Sequence, residues 1–114
     1  MKEFNRAIGI EGETQAEKYL KKKKYKIIAK NYKNIIGEID IVAKQKETIV
    51  FVEVKKRETL CFGRPSEAVD ENKQQKIRTV ALYYLKQHKM LDFPCRFDVI
   101  EILGDDINHI ENAF

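Results

Sequence analysis

Two acidic side chains and one lysine lie on two segments that follow each other closely in the chain, residues 37–44 and 48–57. Asp40 lies in the first segment, and Glu53 and Lys55 lie in the second. Hard divalent cations take carboxylate oxygens as ligands. A bound cation lowers the pKa of water and stabilises the charge that develops on a phosphate. If the fold brings the three groups together, their types favour metal-assisted attack of water on a phosphate ester.

The two segments, 37–44 and 48–57, are rich in Ile and Val and alternate with period two, which predicts two β-strands. The break at Lys46 and Glu47 is short enough for a hairpin. We expect the all-apolar faces of the two strands to match, because a slip by one residue would turn an apolar row to the charged face. These faces carry Ile39, Ile41 and Ala43 on the first strand and Val50, Val52 and Val54 on the second.

This register places Asp40 opposite Glu53 and Glu38 opposite Lys55. Directly opposed side chains have Cβ atoms about 4.5 to 5.5 Å apart, a separation at which two carboxylates repel. An ordinary surface hairpin gains nothing from that repulsion, whereas a divalent cation between the carboxylates removes it. The pattern therefore predicts a cation site on the hairpin.

A third carboxylate lies on the first predicted helix, which covers residues 5–23. Its apolar stripe includes Ala16 and Leu20, and Glu13 borders that stripe. Gly12 lowers the helix propensity, and we interpret it as a site of close packing on a sheet. Glu13 is either an exposed acid that pairs with a neighbouring lysine or a third carboxylate for the hairpin site.

A lysine stands in the first turn of the second predicted helix, which runs from Glu71 to about Lys89 with Asp70 as its N-cap. Lys73 opposes the helix dipole at this position. It either extends its apolar stem along the protein surface or points, together with Gln74, toward a phosphate near the site.

The loop between the hairpin and the second helix, residues 58–65, has an arginine at each end. Arg57 precedes it and Arg64 lies near its end. These residues either contact a phosphate backbone beside the proposed site or belong to a plain connection.

Charge is distributed unevenly along the chain. All 22 Lys and Arg residues precede Phe97, together with 13 of the 18 acids, which gives that part a net charge of +9. The segment from Phe97 onward contains acids and no Lys or Arg. A basic body suggests a polyanion partner, of which nucleic acid is the commonest. A solvated Lys-rich surface is the alternative interpretation.

At 114 residues the chain is expected to form a single domain, 1–114, with one modest core. It contains no run of about 18 apolar residues, which a membrane-spanning helix requires, and its N-terminus has no apolar signal segment. We therefore expect a cytoplasmic protein without membrane contact. Cys61 and Cys95 are then reduced thiols, and their spacing does not match a zinc site.

The remaining segments complete an α/β pattern. Strands are predicted at 25–32 and 96–102, followed by a turn at 104–106 and a short strand at 107–111. The connection through the second helix is long enough for a right-handed crossover to a parallel strand. The expected fold class is α/β, with a single mixed β-sheet flanked by helices.

Three polar residues in this second half are not assigned to the site. Asp98 interrupts an apolar strand, and we interpret it as structural, bonded to the backbone or to Arg96. His88 and His109 have no partners at metal-ligand spacing and are expected at the surface.

The hairpin motifs resemble a known nuclease core. Residues 37–40 are Gly-Glu-Ile-Asp and residues 51–55 are Phe-Val-Glu-Val-Lys. This pattern resembles the Asp…Glu-x-Lys core of the PD-(D/E)xK nuclease fold, with Ile39 where the namesake motif has proline. Over nearly its full length the chain is similar to the bacterial YraN family of predicted endonuclease-like proteins. The further matches are Gly12, Glu13, Ala16, Tyr19, Leu20, Lys56, Arg57, Gly63, Pro65, Lys73 and residues 67–69, 96–99 and 112–114.

The resemblance implies a restriction-endonuclease-like αβββαβ core and a relationship to archaeal Holliday junction resolvases. The site of those enzymes combines a helical Glu, an Asp and a Glu-x-Lys motif. These roles carry over to Glu13, Asp40, Glu53 and Lys55. Because the resolvases work as dimers, the implied partners are structured or branched DNA and a second copy of the chain.

Three functions are compatible with these patterns. In a metal-dependent DNA endonuclease, Asp40 and Glu53 hold Mg²⁺ or Mn²⁺, and Glu13 binds it directly or through water. Lys55 then orients the nucleophile, while Lys73, Arg57, Arg64 and Gln74 hold phosphates. The second function is a nucleic-acid-binding module that does not cleave. The third is a structural or interaction domain with a salt-bridge cluster. Two acids with a lysine on one face favour the first function, because a plain salt bridge needs only one acid.

Overall fold

The computed structural model describes residues 2–57 and 69–114, and for residues 2–10 and 57 it describes the backbone alone. In chain order the elements are α1 (Lys2–Lys22), β1 (Lys26–Lys33), β2 (Glu38–Gln45), β3 (Thr48–Arg57), α2 (Glu71–Gln87), β4 (Cys95–Leu103) and β5 (Asp106–Ile110). Their order and type confirm the predicted helices and strands. Within the described ranges, no helix is long and apolar enough to cross a membrane.

All five strands belong to one mixed sheet, in the order β1-β2-β3-β4-β5. Strands β3 and β4 run parallel, whereas every other adjacent pair is antiparallel. Helix α2 connects the two parallel strands, as the length of that connection predicts. The sheet and its two helices confirm the expected α/β class.

The β2–β3 hairpin has the predicted register. Its main-chain pairing runs from Gln45–Thr48 at the turn to Ile41–Val52. Lys46, in the turn, has a φ of 55°, in the left-handed region that two-residue hairpin turns use. In this register Ile41 and Ala43 lie on the same face as Val50 and Val52, and a slip by one residue would move the row of one strand to the opposite face.

One face of the sheet packs against α1. The buried residues on this side are Ala16, Leu20, Tyr25, Ile41, Ala43, Val50, Val52, Ile100 and Ile102. Gly12 lets α1 approach the sheet closely, since a Cβ atom at Gly12 would lie 2.9 Å from the Cβ atom of Lys56 on β3. The predicted packing role of this glycine is confirmed.

The opposite face packs against α2. Its buried residues are Ile39, Val42, Ile49, Phe51, Val69, Ile77, Val80, Ala81, Tyr84, Leu85 and Val99. The prediction that Ile39 shares a face with Ile41 is wrong. Ile39 pairs with Tyr32 of β1, and both pack toward α2. Asn31, next to Tyr32 in β1, has a φ of 52°, and the register of the β1–β2 pairing shifts between Ile27 and Ala29.

A buried ionic network ties β5 and the C-terminal residues to β4. Asp98 is fully buried and accepts two hydrogen bonds of 2.9 Å from Arg96 and one of 3.2 Å from the backbone N–H of Asn112. The predicted structural role of Asp98 is confirmed. The prediction of a surface His109 is wrong, because its side chain is 7% exposed. Its Nε2 lies 2.6 Å from Asp98, and its Nδ1 lies 3.2 Å from the Tyr19 hydroxyl.

Candidate active site

The predicted carboxylates meet where β2 and β3 stop pairing. Ile41–Val52 is the last main-chain pair of the hairpin, while β3 continues in parallel pairing with β4. Just beyond that pair, Asp40 Oδ2 accepts a hydrogen bond of 2.8 Å from the backbone N–H of Val54. At this point the Asp40 side chain replaces the main-chain hydrogen bonds between β2 and β3, and its carboxylate holds Asp40 against β3.

Asp40 and Glu53 form a close carboxyl pair. Glu53 is 6% exposed. Burial, followed by a hydrogen bond with Glu53 and the charge of Glu53, raises the pKa of Asp40 from 3.8 to about 9. Two buried carboxyl groups in contact cannot both ionise without a compensating positive charge. With this pKa, Asp40 retains its proton at neutral pH, and a divalent cation would displace it.

Glu13 reaches the same region from α1. Burial, followed by the charges of Glu38 and Glu53, raises the pKa of Glu13. With the amide nitrogen of Asn31 facing the acids, Asn31 donates to Glu13 Oε1 at 2.5 Å and to Glu38 Oε1 at 3.2 Å. Pairwise hydrogen bonds or charge interactions link Glu13, Glu38, Asp40 and Glu53, which we call the acidic cluster.

The position of Glu38 differs from the prediction. Its main-chain partner is Lys33 of β1, and the β2–β3 pairing does not extend to Lys55. Sequence reasoning also missed Asn31, which connects two acids of the cluster. An Asn within a predicted strand, where this residue is disfavoured, was the available signal, because Asn adopts the left-handed region more readily than most residues.

Two lysines lie beside the carboxyl pair. Burial and a hydrogen bond with Lys73 lower the pKa of Lys55. Burial acts in the same direction on the pKa of Lys73, but contacts with Lys55 and Glu53 outweigh it and raise that pKa. The Nζ atom of Lys73 lies 3.3 Å from Glu53 Oε2. Lys73 therefore carries the positive charge next to Glu53, and Lys55 is the amine that releases its proton more readily.

The other predicted phosphate-binding residues are Gln74, Arg57 and Arg64. The Nε2 atom of Gln74 donates to the carbonyl of Val69 at 3.1 Å, so Gln74 fixes the chain at the start of α2. The backbone of Arg57 ends β3. Outside the described residues lie the Arg57 side chain, Arg64 and Cys61. The other cysteine, Cys95, is a free, exposed thiol, as expected.

The donor set suits a hard cation bound with few protein ligands. Within residues 2–57 and 69–114, no three His, Cys, Asp or Glu side chains are arranged as a complete ligand set. Mg²⁺ commonly binds through one or two carboxylates and keeps several waters. The contact between Asp40 and Glu53 supplies two carboxylates, and Glu13 is held nearby by Asn31. These residues therefore fit Mg²⁺ or Mn²⁺.

A shallow groove of about 460 Å³ also runs between α1 and the edge strand β1. It is lined by Glu17, Lys21, Tyr25, Lys26, Ile27, Ile28, Ala29 and Lys30. Its one acid, Glu17, already pairs with Lys21 and Lys30. The groove shares no lining residue with the acidic cluster and is a separate surface.

Comparison with known proteins places this site in a family. The model of the uncharacterised protein family UPF0102 matches residues 12–102. The chain belongs to the UPF0102 family. A UPF0102 protein of Caldanaerobacter subterraneus is 48% identical over 122 residues, covering 100% of both chains. One from Thermodesulfovibrio yellowstonii is 50% identical over 107 residues, covering 94% of this chain and 95% of its own. One from Clostridioides difficile is 49% identical over 112 residues, covering 96% of this chain and 98% of its own.

The UPF0102 match covers the whole acidic cluster, both site lysines and the buried Asp98, and it ends within β4. The three UPF0102 names state no activity. In this UPF0102 protein, two carboxyl groups in contact lie where the β2–β3 pairing ends, beside Lys55 and Lys73.

Proposed function

We propose that this UPF0102 protein is a metal-dependent DNA endonuclease that hydrolyses phosphodiester bonds, with branched or otherwise structured DNA as its substrate. The observation that carries the proposal is the contact between the carboxyl groups of Asp40 and Glu53, beside Lys55 and Lys73. Burying one carboxyl group against another costs free energy that apolar residues would not cost. The pair becomes favourable when a divalent cation replaces its proton.

In this proposal Asp40 and Glu53 hold Mg²⁺ or Mn²⁺, and Glu13 ligates it directly or through water. When bound, the cation supplies a water of lowered pKa and stabilises the charge on the phosphate. The hydrogen bond from Val54 keeps the Asp40 carboxylate in place. The amide of Asn31 does the same for Glu13.

The two lysines act on the water and on the phosphate. Lys55 orients the attacking water and stabilises the developing charge. Its lowered pKa brings a lysine closer to the range in which it can accept a proton from that water. Lys73 holds a phosphate of the substrate, and the predicted phosphate contacts of Arg57 and Arg64 belong to the same proposal.

DNA is the proposed partner because the chain is basic before Phe97, with a net charge of +9 there. Contacts between cationic side chains and phosphates supply much of the affinity for DNA. Both helices of the described ranges pack on the sheet, so specificity would come from DNA shape rather than from base edges. A homodimer would present one acidic cluster to each strand of a branched substrate.

The test is cleavage of branched, flapped, single-stranded and duplex DNA in Mg²⁺, in Mn²⁺ and in EDTA. Asp40→Asn and Lys55→Ala are compared with two matched controls, Glu47→Gln in the exposed hairpin turn and Lys76→Ala on the exposed side of α2. We expect cleavage by the wild type and both controls only with a divalent cation. We expect a loss of about 100-fold or more in the two site variants.

Two results would contradict the proposal. Equal cleavage in EDTA would refute the role of the cation. Salt-sensitive binding of DNA without cleavage under any condition would instead support a non-catalytic nucleic-acid-binding module, the second candidate, which the basic charge of the chain favours.

A further inference from the structure

Lys73 occupies an unusual position for a lysine in a helix. It lies in the first turn of α2, and its backbone N–H donates to the N-cap carboxylate of Asp70 at 2.8 Å. The positive end of the helix dipole disfavours a cation at this position. The side chain nevertheless reaches the site, where its ammonium group lies 3.3 Å from Glu53 Oε2.

The two side chains of the Glu53–Lys73 ion pair differ in how easily they can move. The Glu53 side chain is 7% exposed and sits on the central strand β3, whereas the Lys73 side chain is 38% exposed. A lysine ammonium is a compact charge on a flexible four-carbon stem. Glu53 is therefore the fixed member of the pair, and Lys73 is the member that can leave without moving the backbone.

A divalent cation and the Lys73 ammonium compete for the same carboxylate. Glu53 already contacts Asp40 and Lys73, and a cation between Glu53 and Asp40 would lie close to the ammonium group. Charges of the same sign at such a distance repel strongly inside a partly buried site. The repulsion is relieved if Lys73 turns toward an anion, and a DNA phosphate is the anion that the proposed function brings to the site.

On the basis of the function proposed above, we propose that Lys73 is an exchangeable counter-ion, which occupies the place of the divalent cation on Glu53 and transfers to a DNA phosphate when the cation binds. One side chain then links the two binding events. The cation releases Lys73 for DNA, and DNA draws Lys73 away from Glu53 for the cation. Binding of cation and DNA is consequently cooperative, and the coupling is reciprocal by linkage.

The direct test is Mn²⁺ binding measured by isothermal titration calorimetry, without DNA and with a branched DNA whose phosphorothioate linkages resist hydrolysis. Removing the competing charge in Lys73→Met should tighten Mn²⁺ binding in the absence of DNA by about three- to tenfold, as expected for a partly exposed ion pair. DNA should tighten Mn²⁺ binding to the wild type but not to this variant.

Two control variants separate charge from packing. Lys73→Arg keeps the positive charge and should not gain Mn²⁺ affinity. Lys76→Met removes an exposed lysine one turn further along α2 and should behave like the wild type. Circular dichroism confirms that each variant is folded before titration.

The outcomes distinguish this inference from the function on which it rests. If neither the wild type nor Lys73→Met binds Mn²⁺, the proposed function fails and the inference fails with it. If both bind Mn²⁺ equally well, or if the variant binds it more weakly, the metal site stands and only the exchange of Lys73 is refuted.

Discussion

Replacing Asp40 with asparagine tests the central electrostatic claim, because it removes the buried acid and keeps its shape. The asparagine oxygen can still accept the hydrogen bond from Val54 N–H, and the amide nitrogen can donate to Glu53. The variant therefore loses the ionisable group without creating a cavity or an unpaired backbone donor. We expect Asp40→Asn to be more stable than the wild type in the absence of a cation.

The magnitude follows from the two pKa values of Asp40, 3.8 in the unfolded chain and about 9 in the folded protein. A carboxyl group whose pKa is raised by folding contributes its full stability below the unfolded pKa. That contribution is lost progressively as pH rises toward the folded pKa. Each pH unit in this window corresponds to about 1.4 kcal/mol. At neutral pH the raised pKa of Asp40 then lowers the free energy of unfolding of the wild type by at most about 4 kcal/mol. We expect Asp40→Asn to have a free energy of unfolding about 1 to 3 kcal/mol higher than that of the wild type.

The assay is urea unfolding followed by far-UV circular dichroism in EDTA, at pH values from about 4 to about 8.5. The free energy of unfolding of Asp40→Asn should exceed that of the wild type by an amount that grows with pH and vanishes near the acidic end. Glu47→Gln, which removes an exposed acid from the hairpin turn, should show no such pH-dependent difference.

A saturating divalent cation should reverse the order of stability. The cation stabilises a protein that binds it only when folded, by about 2.7 kcal/mol at a concentration of 100 times the dissociation constant. Asp40→Asn lacks one charged ligand and should gain less. A variant that is less stable than the wild type in EDTA near pH 8, or a stability difference independent of pH, would refute the reasoning.

Three further substitutions test the scaffold of the site. Gly12→Ala places a methyl group 2.9 Å from the Lys56 Cβ atom. The overpacking cost of about 1 to 3 kcal/mol should exceed the gain in helix propensity and lower the melting temperature. A melting temperature at or above that of the wild type would contradict this packing role of Gly12. Asp98→Asn leaves Arg96, among the described acids, only the longer 3.5 Å contact with the exposed Glu111 and should cost about 3 to 5 kcal/mol in urea unfolding. A cost below about 1 kcal/mol would show that the network is not structural. Burial raises the pKa of Asp98, but hydrogen bonds from His109 and Arg96 outweigh it and hold the pKa below 3.8. The stabilisation by the Asp98 carboxylate is therefore present above pH 3.8, and the free energies of unfolding of wild type and variant should converge in acid. Asn31→Asp adds an acid to the cluster and should lower the melting temperature in EDTA and increase the stabilisation by Mn²⁺; an unchanged response to Mn²⁺ would place Asn31 outside the site.

The hairpin shows how far local patterns determine this fold. Alternation of Ile and Val predicted the β2–β3 register, and with it the meeting of Asp40 and Glu53, because this register puts both apolar rows on one face. Asp70 was predicted as the N-cap of α2 for an equally local reason, since an N-cap side chain satisfies a backbone donor three residues away.

The same local logic failed where an irregular backbone or a distant partner intervened. Ile39 lies on the α2 side of the sheet, contrary to its parity in β2, in a region where its partner strand β1 has a left-handed residue at Asn31. His109 lacks a sequence neighbour that would bind it, and its burial against Asp98 arises from the antiparallel pairing of β5 with β4.

The sequence by itself determined the order of the elements, the hairpin register and the pairing of two carboxyl groups, because each depends on residues close together in the chain. Only the tertiary structure decided which other groups join them. Glu13 reaches Asn31 because α1 packs closely on β3, and Lys73 reaches Glu53 because α2 starts over the opposite face of the sheet. Such contacts depend on how helices settle on a twisted sheet, and that placement is set by the packing of the whole core rather than by the spacing of any motif.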